Sequence, residues 1–301
     1  MDTKILSGVD LSFEVYTKLR ERIESLKNQS ITPSLAVVLV GNNPASKVYV
    51  KNKIKRFKDL GLDSSTFTFP ENVTEESLLK KISDLNNDNA FHGILVQLPL
   101  PGHIDSEKIL TIIDPKKDVD GFHPVNLGNL TAGSPIFIPC TPKGILRFFE
   151  HYKIELSGKH VVVVGRSNIV GRPISILTSL KGRYLNATTT ICHSGSSDLF
   201  KFTQMADVII LALGKPHFLK SEHIKQGAIV IDVGINRIER EGKKVLVGDV
   251  DYGECLNNAS KITPVPGGVG PMTIACLLLN TLLTSYVQFG ESPVELSSFL
   301  E

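Results

Sequence analysis

The stretch His160-Val-Val-Val-Val-Gly165-Arg-Ser-Asn-Ile-Val-Gly171-Arg-Pro173 is the strongest indication of architecture in this chain. Four consecutive valines that end at a glycine are typical of a parallel strand buried on both faces. Gly165 permits a tight turn, Gly171 permits close approach of a helix and a ligand, and Pro173 suits the first helical turn. The stretch therefore predicts a strand, a glycine turn and a helix whose free N–H groups face a pyrophosphate. Because its spacing is not GxGxxG, an ordinary tight turn stays an alternative.

Apolar strand patterns and amphipathic helix patterns alternate on both sides of this stretch. Strands are predicted at 34–40, 65–69, 93–98, 160–165, 188–192, 208–213, 228–233 and 244–247, and helices at 11–26, 45–60, 75–86 and 141–151. Strands separated by segments of helical length imply a doubly wound parallel sheet with right-handed crossovers. The predicted fold class is α/β with two domains, the second a Rossmann-like doubly wound parallel sheet.

The chain length of 301 residues also suggests two domains. We place the boundary near Phe148, so that one domain comprises 1–147 plus 271–301 and the other comprises 148–270. In this arrangement the apolar C-terminal helix returns to pack on the first domain. Its longest apolar run, 274–283, is too short to span a bilayer and predicts a buried helix.

Charge and cysteine usage exclude several classes of function. The 33 basic and 31 acidic side chains leave a net charge of +2, which argues against a nucleic-acid or membrane-surface binder. The four cysteines are widely spaced without a CxxC, and the eight histidines form no HxxxH pair. Neither a disulfide framework nor a metal site is therefore predicted. The N-terminus is polar and lacks the apolar run of a signal peptide, so a cytoplasmic location is expected.

The end of the strand at 188–192 bears on the choice of nucleotide. An NAD site usually places an acidic residue near this point to hold the ribose 2′-hydroxyl. Here the strand ends Cys192-His-Ser194 without one, while Arg166 and Ser194 are suited to a 2′-phosphate. This pattern favours NADP. The alternative is that Arg166 is only a solvated surface arginine.

Several polar side chains have ordinary structural explanations when each is taken alone. Tyr49 and Lys53, spaced i and i+4, lie on one helical face beside an apolar stripe. Without other evidence, Lys47, Lys51, Lys53 and Lys55 together indicate a solvated basic face of this helix. A strand-end glutamine such as Gln97 is more often structural, and an aspartate such as Asp120, followed by glycine, is typical of a turn.

Six motifs, taken together and in this order, resemble the methylene-tetrahydrofolate dehydrogenase/cyclohydrolase family over nearly the whole chain. They are Ser46-Lys-Val-Tyr-Val-Lys-Asn-Lys53, Val96-Gln-Leu-Pro-Leu-Pro101, Lys117-Asp-Val-Asp-Gly-Phe122, Pro139-Cys-Thr-Pro-Lys-Gly144, Gly165-Arg-Ser-Asn-Ile-Val-Gly-Arg-Pro173 and Pro264-Val-Pro-Gly-Gly-Val-Gly-Pro-Met-Thr273. The resemblance implies two α/β domains, a folate cleft between them, NADP on the second domain and a homodimer.

The resemblance also implies roles for individual residues. Lys53 looks like the catalytic lysine, Gln97 its hydrogen-bonding partner and Tyr49 the ring that positions the aminobenzoyl group of the folate. Because a lysine must be neutral to accept a proton, burial is expected to lower its pKa. Asp120 becomes the carboxylate that accepts two N–H donors from the pterin. The implied substrate-binding residues are Tyr49, Lys53, Val96, Gln97, Leu98, Asp120, Pro266, Gly267 and Gly268, and the implied cofactor-binding residues are Gly165, Arg166, Ser167, Ser194 and, beside the nicotinamide, Ile235.

The reaction implied by the resemblance has two halves. In the first, 5,10-methylene-tetrahydrofolate passes a hydride to NADP, a step that needs orientation more than a proton acceptor. In the second, water attacks the methenyl carbon while Lys53 and Gln97 handle the proton and the charge. Two alternatives stay open: a dehydrogenase of the shikimate-dehydrogenase type and a non-catalytic nucleotide-binding module.

Overall fold

The computed structural model describes residues 2–289 of the chain. It divides into two compact units: Val15–Cys140 with Cys276–Glu301, and Met1–Glu14 with Thr141–Ala275. We name them the three-stranded unit and the six-stranded unit after their parallel sheets. Residues 290–301, the last part of the predicted segment 271–301, lie outside the described residues.

Helices and strands alternate along much of the described chain, as the apolar patterns predict, except that three helices follow one another directly over 106–151 and three strands over 229–247. In chain order the elements are β1 (Lys4–Ile5), α1 (Gly8–Asn28), β2 (Ser34–Val40), α2 (Pro44–Asp59), β3 (Asp63–Phe69), α3 (Glu75–Asn87), β4 (Gly93–Val96), α4 (Ser106–Thr111), α5 (Pro124–Thr131), α6 (Cys140–His151), β5 (His160–Val164), α7 (Gly171–Ser179), β6 (Thr188–Cys192), α8 (Leu199–Met205), β7 (Val208–Leu211), β8 (Ile229–Asp232), β9 (Asn236–Arg240), β10 (Lys243–Val247), α9 (Tyr252–Cys255), β11 (Lys261–Ile262) and α10 (Val269–Gln288).

The three-stranded unit is built on a parallel sheet with strand order β3-β2-β4. Every residue of the central strand β2 is buried, because helices cover both faces of such a sheet. The core against one face contains Ala36, Val38, Val40, Leu78, Ile82, Leu85, Ile94, Val96, Ile104, Ile109 and Ile113. The strand predicted at 93–98 ends at Val96, since Pro99 and Pro101 lack the N–H groups that would continue the ladder.

The six-stranded unit is built on a parallel sheet with strand order β1-β11-β8-β7-β5-β6. From β5 the chain passes outward to β6 and then crosses back to β7 on the other side of β5. The strand order therefore reverses beside β5, and ligands of such sheets bind at the carboxyl ends of the strands next to that reversal. The core under the sheet includes Val162, Ile209, Leu211 and Val230, all fully buried.

The strand predicted at 244–247 is part of β10, but it does not join the parallel sheet. It pairs antiparallel with β9, with Lys243 opposite Arg240. Glu241 and Gly242 connect the two strands, and both have positive φ, of 53° and 71°. Two consecutive residues with positive φ make the tight turn that matches the twist of a hairpin, so these strands pair locally.

The first residues of the chain lie in the six-stranded unit rather than with the rest of the predicted domain 1–147. Strand β1 pairs in parallel with β11, with Ile5 opposite Ile262. Both strands have two residues, which is too short for an apolar pattern to reveal them. Pairing between distant segments thus decides where 1–14 belong.

Helix α10 is longer than the apolar run 274–283, whose length alone indicates a segment too short to span a bilayer. Within the described residues, α10 is a helix that is long enough and apolar enough to cross a bilayer, judged by length and composition alone. However, 78% of its apolar window is buried inside the protein. It is therefore a core helix, as predicted, but on the ground of burial rather than length.

Candidate active site

Lys53 is buried because of its place in the periodicity of α2. The helix is preceded by its N-cap residue, Asn43, whose side chain accepts hydrogen bonds from the backbone N–H groups of Ala45 and Ser46. From there the buried positions recur at three- and four-residue intervals, and they are Ser46, Val50, Lys53 and Phe57. Lys53 thus occupies the inward stripe and is 5% exposed. The alternative of a solvated basic face is correct for Lys47, Lys51 and Lys55, which are exposed, and wrong for Lys53.

The amine of Lys53 has a defined set of neighbours. Its Nζ donates a hydrogen bond to Oε1 of Gln97 at 3.3 Å and lies 4.8 Å from the ring centroid of Tyr49. The amide of Gln97 is oriented by its own Nε2, which donates to the carbonyl of Leu98 at 2.6 Å. This second bond leaves Oε1 facing the lysine. The structure therefore brings together the three residues predicted to be catalytic.

Burial lowers the pKa of Lys53, in the direction expected from the sequence, and the nearby Asp120 and Cys140 oppose this by raising it. The Asp120 carboxyl shows the complementary effect. Burial raises its pKa to about 6, Lys53 lowers it, Asp118 raises it and a hydrogen bond with the Cys140 thiol lowers it. A lysine with a lowered pKa and a carboxyl with a raised one in the same buried region are typical of a functional site.

Asp118 shapes the loop that presents Asp120, a role that the sequence analysis missed. Its buried carboxylate accepts hydrogen bonds from the backbone N–H groups of Gly121 at 3.0 Å and His123 at 2.8 Å, and from Nδ2 of Asn126 at 2.9 Å. Gly121 has φ +74°, and a Cβ there would lie 2.8 Å from the backbone nitrogen of Pro139. The pattern of an aspartate three residues before a glycine was the available indication of this turn.

Asn280 is a second missed residue of the three-stranded unit. Its Nδ2 donates to the carbonyl of Val119, the residue before Asp120, at 2.8 Å and to that of Ile138, shortly before α6, at 3.0 Å. Cys140 also donates to the Val119 carbonyl at 3.2 Å. An asparagine inside an otherwise apolar helix is the indication that could have revealed it, since a buried amide needs hydrogen-bond partners.

The other predicted substrate residues fall into both units. Val96 is the buried last residue of β4, and Leu98 is partly buried beyond Gln97. Pro266, Gly267 and Gly268 lie between β11 and α10, in the six-stranded unit.

Gly267 and Gly268 also contribute to the local backbone structure, apart from any contact with a ligand. The carbonyl of Gly267 accepts from the backbone N–H groups of Gly8 at 2.8 Å and Val9 at 3.2 Å. A Cβ on Gly268 would lie 2.5 Å from the carbonyl oxygen of Pro264. Pro266, next to them, is exposed. The backbone of this segment is therefore held tightly within its unit.

The glycine turn after β5 has the predicted strand–turn–helix form. Gly165 has φ +132°, and a Cβ there would lie 2.5 Å from the carbonyl oxygen of Ala212. A Cβ on Gly171 would lie 2.2 Å from the carbonyl oxygen of Gly165, so the start of α7 approaches the end of β5 very closely. Ser167 closes the turn by accepting from the backbone N–H of Val170 at 3.2 Å.

Hydrogen-bond donors collect at the carboxyl ends of β5 and β6. Arg166, Ser167 and Ser194 are exposed there, and Nη1 of Arg166 lies 3.5 Å from Nε2 of His193. Beyond β6 the next acidic residue is Asp198, which forms an ion pair with Lys201. A guanidinium and two hydroxyls fit a phosphorylated ligand.

Ile235, predicted to lie beside the nicotinamide, follows β8 at the same edge of the sheet. Its side chain is 53% exposed. A Cβ on Gly270 would lie 3.6 Å from its Cδ1 atom. The six-stranded unit thus places all five predicted cofactor residues at the carboxyl ends of β5, β6 and β8.

Comparison with known proteins identifies the family. Residues 139–289 match the family model described as tetrahydrofolate dehydrogenase/cyclohydrolase, NAD(P)-binding domain, and residues 6–120 match the catalytic domain of the same enzymes. The chain belongs to the tetrahydrofolate dehydrogenase/cyclohydrolase family. Both matches agree with the motifs that suggested this family from the sequence.

Individual members of the family are similar over nearly their whole length. The bifunctional protein FolD of Acetivibrio thermocellus is 49% identical over 288 residues, which cover 96% of this chain and 99% of the relative. The crystal structure of FolD from Campylobacter jejuni is 48% identical with a TM-score of 0.89, covering 95% of this chain and 99% of that one. The Trypanosoma brucei enzyme, solved in complex with NADP and an inhibitor, is 34% identical with a TM-score of 0.91, covering 97% of this chain and 100% of that one.

These matches decide between the alternatives left open by the sequence. The two-domain α/β fold, the two folate activities and the nicotinamide cofactor predicted from the sequence are confirmed. A shikimate-type dehydrogenase and a non-catalytic nucleotide-binding module are both set aside, because the matched relatives are bifunctional folate enzymes along the full chain.

Proposed function

We propose that Lys53, Gln97, Tyr49 and Asp120 carry out the folate chemistry of this family in this chain. The chain oxidises 5,10-methylene-tetrahydrofolate to the 5,10-methenyl cation with NADP and then hydrolyses that cation to 10-formyl-tetrahydrofolate. The observation that supports these roles is the buried amine of Lys53, held 3.3 Å from Oε1 of Gln97 and 4.8 Å from the Tyr49 ring. A single site of this kind serves both reactions.

Binding and orientation come first. The ring of Tyr49 stacks on the aminobenzoyl group, and the Asp120 carboxylate accepts two N–H donors of the pterin, a charge-assisted pair. Val96 and Leu98 are further proposed folate contacts of the three-stranded unit, and Pro266, Gly267 and Gly268 are proposed substrate-binding residues of the six-stranded unit. Hydride transfer then depends on proximity and alignment, and it requires no proton acceptor among these side chains.

Hydrolysis uses the lysine. Water adds to the methenyl carbon and loses one proton, which leaves a hydroxyl on that carbon. The hydroxyl then loses the second proton as the bond from the carbon to N5 breaks and the C=O bond of the formyl group forms. N5 takes up one of the two protons, so one proton is released overall. Lys53 exchanges the proton because burial lowers the pKa of its amine. Gln97 keeps the amine aimed at the reacting carbon. General acid–base help of this kind contributes about 10²–10⁴-fold to the rate.

The cofactor contacts lie in the six-stranded unit. When bound, the nicotinamide supplies the hydride acceptor for the oxidation. The backbone of Gly165, Ser167 and the start of α7 would face the pyrophosphate. Arg166 and Ser194 would hold the 2′-phosphate, and Ile235 would pack against the nicotinamide. The exposed donors after β5 and β6, where the next acidic residue, Asp198, is paired with Lys201, support NADP over NAD.

The folate chemistry is proposed for the domain predicted at 1–147 plus 271–301 and the cofactor for 148–270, although 1–14, 141–147 and 271–275 belong to the six-stranded unit. We also propose a cytoplasmic homodimer that binds neither nucleic acid nor membranes, in keeping with a net charge of +2.

The direct test supplies the purified chain with 5,10-methylene-tetrahydrofolate and NADP, and follows NADPH by absorbance and 10-formyl-tetrahydrofolate by chromatography. Both products are expected, and formation of NADPH without the formyl product would refute the second activity. Analytical ultracentrifugation of the same sample tests the dimer.

A further inference from the structure

Two buried carboxylates of the six-stranded unit have no part in the chemistry described so far. Asp232 is the last residue of β8 and is 3% exposed, and Asp249 follows β10 and is 0% exposed. The backbone packs directly against both groups. A Cβ on Gly234 would lie 2.3 Å from the Asp249 carboxyl, and one on Gly248 would lie 1.8 Å from Oδ2 of Asp232. Such close approach indicates a fixed local structure rather than a chance cluster.

Asp249 holds the loop that follows β7. Its Oδ2 accepts from the backbone N–H groups of Leu213 at 2.6 Å and Gly214 at 3.0 Å, and its Oδ1 accepts from that of Lys215 at 2.8 Å. Oδ1 also accepts from Nδ2 of Asn236 at 2.8 Å. A carboxylate has about four acceptor positions, and these four donors use them all.

The loop held in this way adjoins the glycine turn. The residue before it, Ala212, donates its backbone N–H to the carbonyl of Val164 at 2.9 Å. The carbonyl oxygen of Ala212 is the atom that a Cβ on Gly165 would approach to 2.5 Å. The fourth donor, Asn236, is the neighbour of Ile235. Asp249 therefore links the loops after β7 and β8 on the edge of the sheet where ligands bind.

Asp232 in turn holds Asp249. Its Oδ1 accepts from the backbone N–H groups of Gly234 at 2.9 Å and Asp249 at 3.0 Å, and its Oδ2 accepts from that of Val250 at 2.9 Å. The two carboxyls thus act one after the other: that of Asp232 fixes the backbone at Asp249, and that of Asp249 fixes the loop 213–215 and Asn236.

We propose that Asp249, supported by Asp232, is a positioning residue for the nicotinamide cofactor. It acts through the backbone of 213–215 and through Asn236, and it touches neither the folate nor the reacting atoms. This inference rests on the proposed cofactor site in the six-stranded unit. It predicts that removing hydrogen bonds accepted by Asp249 raises the Kd of NADP. The hydrolytic activity, which uses no cofactor, should be unaffected.

The test compares Asp249→Asn with a matched control, Asp207→Asn. The substitution replaces one carboxylate oxygen with an amide nitrogen, which accepts no hydrogen bond, so two of the four donors lose their partner. Asp207 also accepts from a backbone N–H, that of His160 at 2.9 Å, but it lies at the amino end of the strands. Calorimetry with NADP is expected to show a Kd raised about tenfold or more for Asp249→Asn and unchanged for Asp207→Asn.

Hydrolysis of 5,10-methenyl-tetrahydrofolate without cofactor, measured on the same samples, reports whether each variant is folded. A folded Asp249→Asn whose NADP Kd lies within twofold of wild type overturns the proposal. If that variant does not fold, Asn236→Ala decides. This variant breaks the link between Asp249 and the segment after β8 but leaves the three backbone hydrogen bonds from 213–215 in place. An NADP Kd raised about threefold therefore supports the proposal, and an unchanged Kd overturns it.

The same measurements separate this inference from the proposed function. A wild-type chain that binds NADP but does not oxidise the folate refutes the proposed oxidation. The Kd comparison between Asp249→Asn and Asp207→Asn still judges the positioning role, because it requires binding alone.

Discussion

The side-chain nitrogen of Lys53 donates a hydrogen bond of 3.3 Å to Oε1 of Gln97, a residue 44 positions further along the chain. One partner lies in the middle of α2 and the other just beyond the end of β4. The contact gives the buried amine a neutral amide oxygen as its hydrogen-bond acceptor, while the nearby Asp120 only partly opposes the effect of burial. Because burial is not fully offset by an ion pair, the pKa of the amine is lowered. This relationship allows the two activities to be separated by mutation.

Lys53→Met keeps the apolar stem of the side chain and removes the amine. We expect the hydrolysis of 5,10-methenyl-tetrahydrofolate to fall about 10²–10⁴-fold, because the water and N5 lose their proton carrier. Oxidation should survive at a reduced level set by poorer folate positioning. The methenyl intermediate should therefore accumulate, which stopped-flow absorbance detects directly.

Lys55→Met is the matched control, since Lys55 lies on the same helix with its side chain exposed. It should behave as wild type. If Lys53→Met clears the methenyl intermediate as fast as wild type, Lys53 is not the hydrolytic residue. If it forms none while still binding NADP, the lysine serves oxidation as well.

Asp120→Ala should impair both activities together, because both reactions hold the same pterin. The loss of a charged acceptor for buried donors costs on the order of 1.5–3 kcal/mol, which corresponds to a folate Kd raised about 10- to 150-fold. Calorimetry with a folate substrate measures the change. Asp84→Ala, on the exposed face of α3, serves as the control. Unchanged folate binding in Asp120→Ala would remove this carboxylate from the site.

Arg166→Ala should weaken NADP much more than NAD. The guanidinium lies at the end of β5, close to His193 of the neighbouring strand end, where a 2′-phosphate would meet it. NAD has no such phosphate and loses little. Steady-state kinetics with each cofactor give the comparison, with Arg183→Ala, an exposed arginine beyond α7, as control. An equal loss for both cofactors would contradict a 2′-phosphate role.

Asp232 should make folding stability depend on pH. Burial raises its pKa from 3.8 to about 7, against hydrogen bonds from the backbone of Val250, Asp249 and Gly234 that lower it. A carboxyl with a raised pKa in the folded protein binds extra protons there. Its stabilising contribution is therefore complete below its ordinary pKa and is lost as the pH rises through about 7. Between pH 5 and 8 this loss is on the order of 3 kcal/mol.

Asp232→Asn removes that titration. Urea titrations at pH 5 and pH 8 give the free energies of unfolding of this variant and of wild type. From pH 5 to pH 8 the difference between them should shift by on the order of 3 kcal/mol in favour of the variant. In Asp207→Asn the same difference should stay constant between pH 5 and 8, because hydrogen bonds lower the pKa of Asp207 below that range. A constant difference for Asp232→Asn as well would show that this carboxyl does not titrate there.

Local patterns in the sequence were sufficient for the architecture and for the family. Runs such as 35–40 and 161–164 are apolar throughout because they lie inside parallel sheets, and their composition alone predicts that environment. Gly165 and Gly171 indicated a turn against a helix, and the structure shows the close backbone contacts that exclude a Cβ at both positions. The motifs around Lys53 and Asp120 specified the chemistry, since residue types and their order can be read without any coordinates.

Only the tertiary structure decided which of these side chains are buried and what they touch. Lys53 and Lys55 look alike in the sequence, yet one faces the core and the other the solvent, because the register of α2 depends on its cap and its packing. The pairing of β1 with β11, the anchoring of 213–215 by Asp249 and the contacts of Asn280 all join residues distant in sequence. Periodicity reports a residue's neighbours within one element, whereas desolvation and hydrogen bonding between elements arise only when the chain has folded.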